Sequence, residues 1–401
     1  MKKIVFASLL LASIGSLQAQ EQVRIWRNDN SKRFTTSELL FSDDGETFTV
    51  GDSTYSCMQI DSITVVHTVN VTFDGNTASV DLGHAPGVTY EVDGAHVNIL
   101  STNTKSELEF VLQGSSSQGS LTYDGPLKCK FYLNGLNLTS DRGAAIDIQC
   151  GKRVDFILNE GTENVLADAA GGDQKAALYC KGHLEVSGGG SLTVTGNAKH
   201  AISTKEYLEI KKSTGSITVD KAVNDALHIG QYFLMSGGTL NISGQGREGI
   251  QVEIMTLDDD VTPNPDKEDN GLMFFRGGKI VITSSAPTRK AIKAPSNLIV
   301  SGGQFEIYAS GEGTKGFSVD GDMTVGEEDN ETLITVRATG GTYEDPVTED
   351  DTYCTGIKVK GNLTVNGGTI RVSNIGSGTR GATVGGTYTK NGGTVQASGL
   401  R

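Results

Sequence analysis

Apolar and polar positions alternate in short runs along most of this chain, and the runs come in pairs joined by two glycines. One copy reads Leu298-x-Val300-x-Gly302-Gly303-x-Phe305-x-Ile307; others are Phe233-x-Met235-x-Gly237-Gly238-x-Leu240-x-Ile242, Met273-x-Phe275-x-Gly277-Gly278-x-Ile280-x-Ile282 and Leu363-x-Val365-x-Gly367-Gly368-x-Ile370-x-Val372. Looser copies start at Leu184 and Leu208. Alternation with period two marks a strand with one buried face. The glycines supply the backbone angles of a sharp bend between two such strands. A third apolar element precedes each copy, a small residue and then a large one: Ala177-Leu178, Ala201-Ile202, Ala226-Leu227, Gly249-Ile250, Ala291-Ile292, Gly316-Phe317 and Gly356-Ile357. The large residues fall 24, 25, 23, 42, 25 and 40 residues apart. The two long steps carry insertions, the acidic stretch 258–270 and a segment around 344–351, so the underlying period is near 24 residues.

Three short strands per period, with no amphipathic helical stretch, predict an all-β fold. Over 68–401 the expectation is a right-handed single-stranded parallel β-helix, a solenoid whose coils stack at about 4.8 Å. A leucine-rich repeat would show helix-forming segments and an Asn ladder, and a propeller blade takes about 40 residues. Leu178, Ile202, Leu227, Ile250, Ile292 and Ile357 are predicted to form one internal stack. Residues 20–67 lack the repeat. There Val23-Arg24-Ile25-Trp26, Glu38-Leu39-Leu40-Phe41, Phe48-Thr49-Val50 and Ile63-Thr64-Val65-Val66 are strand candidates for a small N-terminal β module or cap, with Trp26 as its large core residue. Residues 381–401 lose apolar character, as a solenoid end should.

Composition adds limits. Residues 1–19 carry Lys2-Lys3, an apolar run and Leu17-Gln18-Ala19, the pattern of a secretory signal. No Cys follows that predicted cut, so a lipoprotein anchor is not expected, and no second apolar run approaches the roughly 18 residues of a membrane span. The mature chain is expected to be exported and without membrane insertion. Losing Lys2 and Lys3 takes the net charge from −14 to −16, since residues 1–19 hold no acid. That balance argues against nucleic acid as a partner and fits a chain that holds divalent cations. Cys57, Cys129, Cys150, Cys180 and Cys354 match no zinc spacing. Cys129 and Cys180 alternate with apolar positions and read as buried thiols.

Between about 131 and 253 the residues resemble a family of bacterial secreted carbohydrate-binding proteins with a pectate-lyase-like parallel β-helix. The matching stretches are Leu133-Asn134-Gly135-Leu136-Asn137-Leu138, Gly143-Ala144-Ala145-Ile146, Leu158-Asn159-Glu160-Gly161-Thr162-Glu163-Asn164 and Gly190-Ser191-Leu192-Thr193-Val194-Thr195-Gly196-Asn197. The resemblance implies an exported protein that binds polysaccharide, cellulose or acidic sugars, and carries calcium. This chain departs from the family's acidic positions: His183 and Tyr207 stand before two of the Leu-x-Val/Ile strands, and the coil entries read Asp225-Ala226-Leu227 and Glu248-Gly249-Ile250.

The residue before each small-large pair forms a column: Ala176, His200, Asp225, Glu248, Lys290, Lys315, Thr355 and Arg380, flanked in the same coils by Lys199, Asn224, Arg247 and Arg289. Charges in successive coils cannot be buried unpaired, so the column is expected on the outer surface at a turn, with each strand starting after it. Four readings stay open. One is a solvated salt-bridge ladder. A second is a calcium site with Asp225 and Glu248 as oxygen ligands, and Asp168 or Asp173 from a nearby loop. A third is a strip for acidic glycan, in which Lys199, His200, Arg247, Arg289 and Lys290 take carboxylates or hydroxyls, oriented by Asp225 and Glu248. The fourth is glycoside hydrolysis by the Asp225–Glu248 pair. Tyr232, Phe274 and Tyr308 are candidates for stacking on sugars. The leading expectation is a non-catalytic binder of acidic polysaccharide; the rivals are a polysaccharide lyase or hydrolase on the same fold, and a surface adhesin.

Overall fold

The computed structural model describes residues 22–27, 30–35, 39–50, 53–172, 176–327 and 332–400. The predicted signal segment 1–19 and Asp173 lie outside the described residues. The chain divides into two compact units, Met1–His67 and Thr68–Arg401.

In the first unit Gln22–Arg27 pairs antiparallel with Asn30–Thr35, and Leu39–Phe41, Thr47–Val50 and Ser53–Ser56 form a three-stranded antiparallel sheet. The core is Ile25, Phe48 and Val50, with Phe48 stacked on Tyr55 at 5.4 Å. Trp26 is therefore not the core residue it was expected to be. Val23 and Ile25 are buried, which turns Arg24 and Trp26 to the opposite face. There the indole Nε1 donates to Thr64 Oγ1 at 3.2 Å, and the Arg24 guanidinium lies 5.7 Å from the ring centre. Asn30–Thr35 and Ser53–Ser56 went unread because their sequences, NSKRFT and STYS, carry no apolar alternation.

The second unit is the expected parallel β-solenoid. Its successive coils stack as parallel ladders of strands, and the predicted internal column is in register: Leu178 pairs with Ile202, then come Leu227, Ile250, Ile292, Phe317 and Ile357. This third ladder belongs to a 13-stranded sheet. The two arms of the glycine repeat make the other two. On the first ladder Phe233, Met273 and Leu298 stand in register; on the second, Leu240, Ile280 and Phe305. All of these side chains are buried, each contributing about 1.5–3 kcal/mol relative to exposure. Phe233, Phe275, Phe305 and Phe317 continue one another down the interior, with ring centres 5.5, 5.0 and 5.8 Å apart.

The two glycines of the repeat answer different needs. Gly303 has φ +103°, a conformation that L side chains avoid. Gly302 has ordinary φ, but a Cβ there would sit 2.3 Å from the carbonyl oxygen of Arg276 in the previous coil. The small residue of the small-large pair has a third reason. A Cβ on Gly316 would meet Val336 Cγ1 at 2.7 Å, and one on Gly356 would meet Val372 Cγ1 at 2.2 Å. That position points into the core, so strict alternation slips by one residue where the third ladder begins.

Asn164 explains the most distinctive stretch of the resemblance. It is buried, its Oδ1 accepts from the backbone amides of Gly135 and Leu136 at 3.1 and 2.9 Å, and its Nδ2 donates to the Ser191 carbonyl at 3.0 Å. One side chain thus ties three successive coils together. The first insertion folds back on itself, with Asn270 exchanging two hydrogen bonds of 2.8 Å with the Met255 backbone. The second is a hairpin of Thr342–Glu344 against Asp351–Val359.

Candidate functional site

Most of the coil-entry column is not on the outer surface; Lys290 is half-buried and Arg380 alone is exposed. His200 is 3% exposed, Asp225 0%, Glu248 1% and Lys315 6%. Strands His200–Thr204, Lys290–Ala294 and Lys315–Val319 also begin with the column residue rather than after it. The physical reason is that these charges are buried with partners. Asp225 Oδ2 faces the Nδ1 atoms of His228 at 2.9 Å and His200 at 3.4 Å, and Asp225 Oδ1 accepts from the Glu248 amide at 3.2 Å. Glu248 lies between Arg247, whose Nε is 3.3 Å from Oε2, and Lys290, whose Nζ is 3.5 Å from Oε1. Lys315 has no carboxylate; its Nζ donates to the carbonyls of Gly313 and Tyr353, both at 2.6 Å.

Burial governs the titration of this column. It pushes His200 down to about 3, helped by His228 and opposed by Asp225, so His200 is neutral and its contact with Asp225 is not an ion pair. Burial also acts to raise Asp225, but hydrogen bonds from His228 and Glu248 win and hold it at about 2. Lys290 is lowered by burial against the pull of Glu248, and Lys315 is brought to about 8 by burial and then by the charge of Lys358.

Two of the expected roles change with this geometry. Asp225 and Glu248 are too buried to flank a glycosidic bond, which removes the two-carboxylate hydrolase arrangement. Asp168 does not join them. It is 2% exposed, and its carboxylate accepts the backbone amides of Asn197 and Ala198 in the next coil. Burial raises its pKa against those two amides. Among the described residues, the one grouping of three candidate metal-ligand side chains is His200, Asp225 and His228. The aromatic candidates have other partners: Tyr232 stacks on Tyr207 at 4.5 Å and donates to Glu209 at 2.7 Å, while Phe274 and Tyr308 lie under Arg276 and Arg337.

Of the basic residues expected to bind, Arg247 is exposed and Lys199, Arg289 and Lys290 are half-buried. The structure joins several of them to a row that sequence reasoning missed. On the third ladder the residue after each large core residue runs in register as His228, Gln251, Lys293, Ser318, Lys358 and Thr383. Lys293 is half-buried, with Gln251 Oε1 at 3.5 Å, and Lys358 is exposed. Arg380, also exposed, has its guanidinium 3.7 Å from the centre of the Tyr353 ring. Lys290 feels the charges of Lys293 and Arg289, and Lys315 those of Lys358, Lys290 and Arg380, so these cations form one cluster. Among the described residues, the cluster's one ion pair is Lys290 with Glu248. The repeat register alone would have found this row: it is the position after each large residue of the small-large pair.

A parallel β-solenoid with a linear, cation-bearing face is a scaffold for extended ligands. A family model described as "carbohydrate-binding domain-containing protein" matches residues 93–399, well over half of the chain, and the chain belongs to that family. A relative of the same description from Acetivibrio thermocellus is 26% identical over 159 residues, which cover 37% of this chain and 52% of the relative. The chain thus matches about half the length of that curated relative. A solved structure described as the polysaccharide lyase-like protein from C. thermocellum, in a gadolinium derivative, is 24% identical with a TM-score of 0.49, covering 66% of this chain and 97% of that one.

Proposed function

We propose that this carbohydrate-binding protein takes acidic polysaccharide along the third-ladder face, without chemical turnover. The observation that carries the reading is the cluster of Arg289, Lys290, Lys293, Lys358 and Arg380 in a chain of net charge −14. Lys293 and Lys358 stand two coils apart with Ser318 between them, about twice the 4.8 Å coil spacing, a repeat that suits a polymer bearing regular carboxylates. Glu248 acts from beneath, holding Arg247 and Lys290 in place rather than touching sugar. Export through residues 1–19 belongs to the same reading, since it brings the protein to such polymers.

Affinity electrophoresis through gels containing polygalacturonate or a neutral glucan tests it. Retardation by the polyuronate that fades at high salt is the expected result, because exposed charge contacts are screened within about 10 Å at 0.1 M. Equal retardation by the neutral glucan, or none by the polyuronate, would remove the acidic ligand. Steady release of reducing ends or of unsaturated product would make the protein an enzyme instead.

A further inference from the structure

His228 lies one coil beyond Ser203 on the third ladder and three residues after Asp225, which brings two imidazoles onto one buried carboxylate. The arrangement is incompletely satisfied as a hydrogen-bond set. His228 Nδ1 bonds Asp225 Oδ2 at 2.9 Å, but His200 Nδ1, buried and 3.4 Å from the same oxygen, has no hydrogen-bond partner. Buried polar atoms without partners are uncommon enough to need a reason. Such a nitrogen, facing a carboxylate and a second imidazole nitrogen, suits a cation better than a proton.

We propose that His200, Asp225 and His228 form a binding site for a divalent transition ion of the zinc class, each giving one donor atom. The three donor atoms lie within 4.8 Å of one another. A tetrahedral zinc site with bonds near 2.0–2.2 Å sets donors about 3.3 Å apart, and the two N···O separations, 2.9 and 3.4 Å, fall on either side of that value. The rings stack at 4.2 Å with their planes 19° apart, so their in-plane lone pairs run nearly parallel, and holding a shared ion requires each ring to turn about its Cβ–Cγ bond out of the stack. Glu253 Oε1 stands 3.6 Å from His228 Nε2, a carboxylate on the side where an imidazole that ligates through Nδ1 keeps its proton. The donor set decides the class of ion. Calcium requires six to eight oxygens, whereas two imidazoles and one carboxylate select zinc, nickel or cobalt. Three protein donors leave a coordination position for water or a ligand oxygen.

The test uses the full chain, untagged and stripped by chelator, titrated with zinc and with cobalt in the absence of any glycan, so its result is independent of the polysaccharide reading. The expected outcome is one equivalent bound, ligand-field bands of a low-coordinate cobalt ion, and no displacement by excess calcium. His228→Gln should weaken zinc binding at least roughly tenfold. Its side chain is 20% exposed, so this variant is expected to fold, which its melting curve checks; His200→Gln is the second variant. Binding of less than one equivalent, displacement by calcium, or unchanged zinc affinity in a folded His228→Gln protein would overturn the site.

Discussion

On the first ladder Asp155, Glu185 and Glu209 follow one another in register; on the third, Lys293, Ser318 and Lys358 do the same. The acids find their counter-charges inside the chain. Lys211 reaches Glu185 at 2.9 Å and also pairs with Glu209, Tyr207 and Tyr232 donate to the same two carboxylates at 2.9 and 2.7 Å, and Lys130 and Arg153 stand 4.0 and 3.8 Å from Asp155. Lys293 and Lys358 have no such carboxylates among the described residues. A charged row already neutralised by its own fold is a structural seam, while one left with excess charge has affinity to offer.

The comparison depends first on register, and the largest effect is expected from breaking it. Ile250→Asp places an unpaired charge in the internal stack and should destabilise the solenoid by more than about 4 kcal/mol; a urea midpoint equal to that of wild type would show that both rows are wrongly placed. Next comes the contrast itself. Lys293→Glu with Lys358→Glu should lower polyuronate affinity by roughly a hundredfold at low salt, whereas Lys211→Ala should leave it within about threefold. Comparable losses from both changes, measured by calorimetry, would erase the distinction between the rows.

Smaller effects sharpen it. Tyr232→Phe removes one hydrogen bond from the acidic row and should cost about 1 kcal/mol of stability, with glycan affinity unchanged; a loss of affinity would assign that row a role in binding. The last prediction concerns Lys315, whose folded pKa of about 8 is depressed by burial and by Lys358. The unfolded chain keeps this proton to about 10.4, so between those values it binds more protons than the folded one, and stability should rise with pH across the window. Below about 8 the full penalty is present. Lys315→Met should flatten the rise in thermal melts taken from pH 7.5 to 10.5; an identical slope in the variant would mean that the ammonium is not desolvated.

The solenoid was legible because its signal is repeated. Any one Leu-x-Val-x-Gly-Gly could be chance, but the same spacing from Phe233, Met273, Leu298 and Leu363 fixes both the turn and the inward face. The coil-entry column was legible as a column but placed on the wrong side. Strict alternation back from Ile250 through Gly249 puts Glu248 inside, as observed, but the rule against burying unpaired charge places it outside. Pairing was the other hidden term: His228 is three residues from Asp225, but nothing in the local sequence announces that His200, from the preceding coil, closes on the same carboxylate. Trp26 was misread for a simpler reason, since a lone large residue was preferred over the alternation of its own strand.

Both insertions border the third-ladder face, one leaving after Ile250–Val252 and the other returning into Asp351–Val359. Ile250 nevertheless pairs with Ile292, and Phe317 with Ile357, as if no extra chain intervened. Distance along the sequence and distance in space are uncoupled at these corners, because lengthening a flexible loop costs only about 0.6 kcal/mol per doubling. The scaffold therefore has two ports where new sequence can be spliced beside a fixed row of cations, and ligand preference can diverge through the loops while the cations keep their spacing.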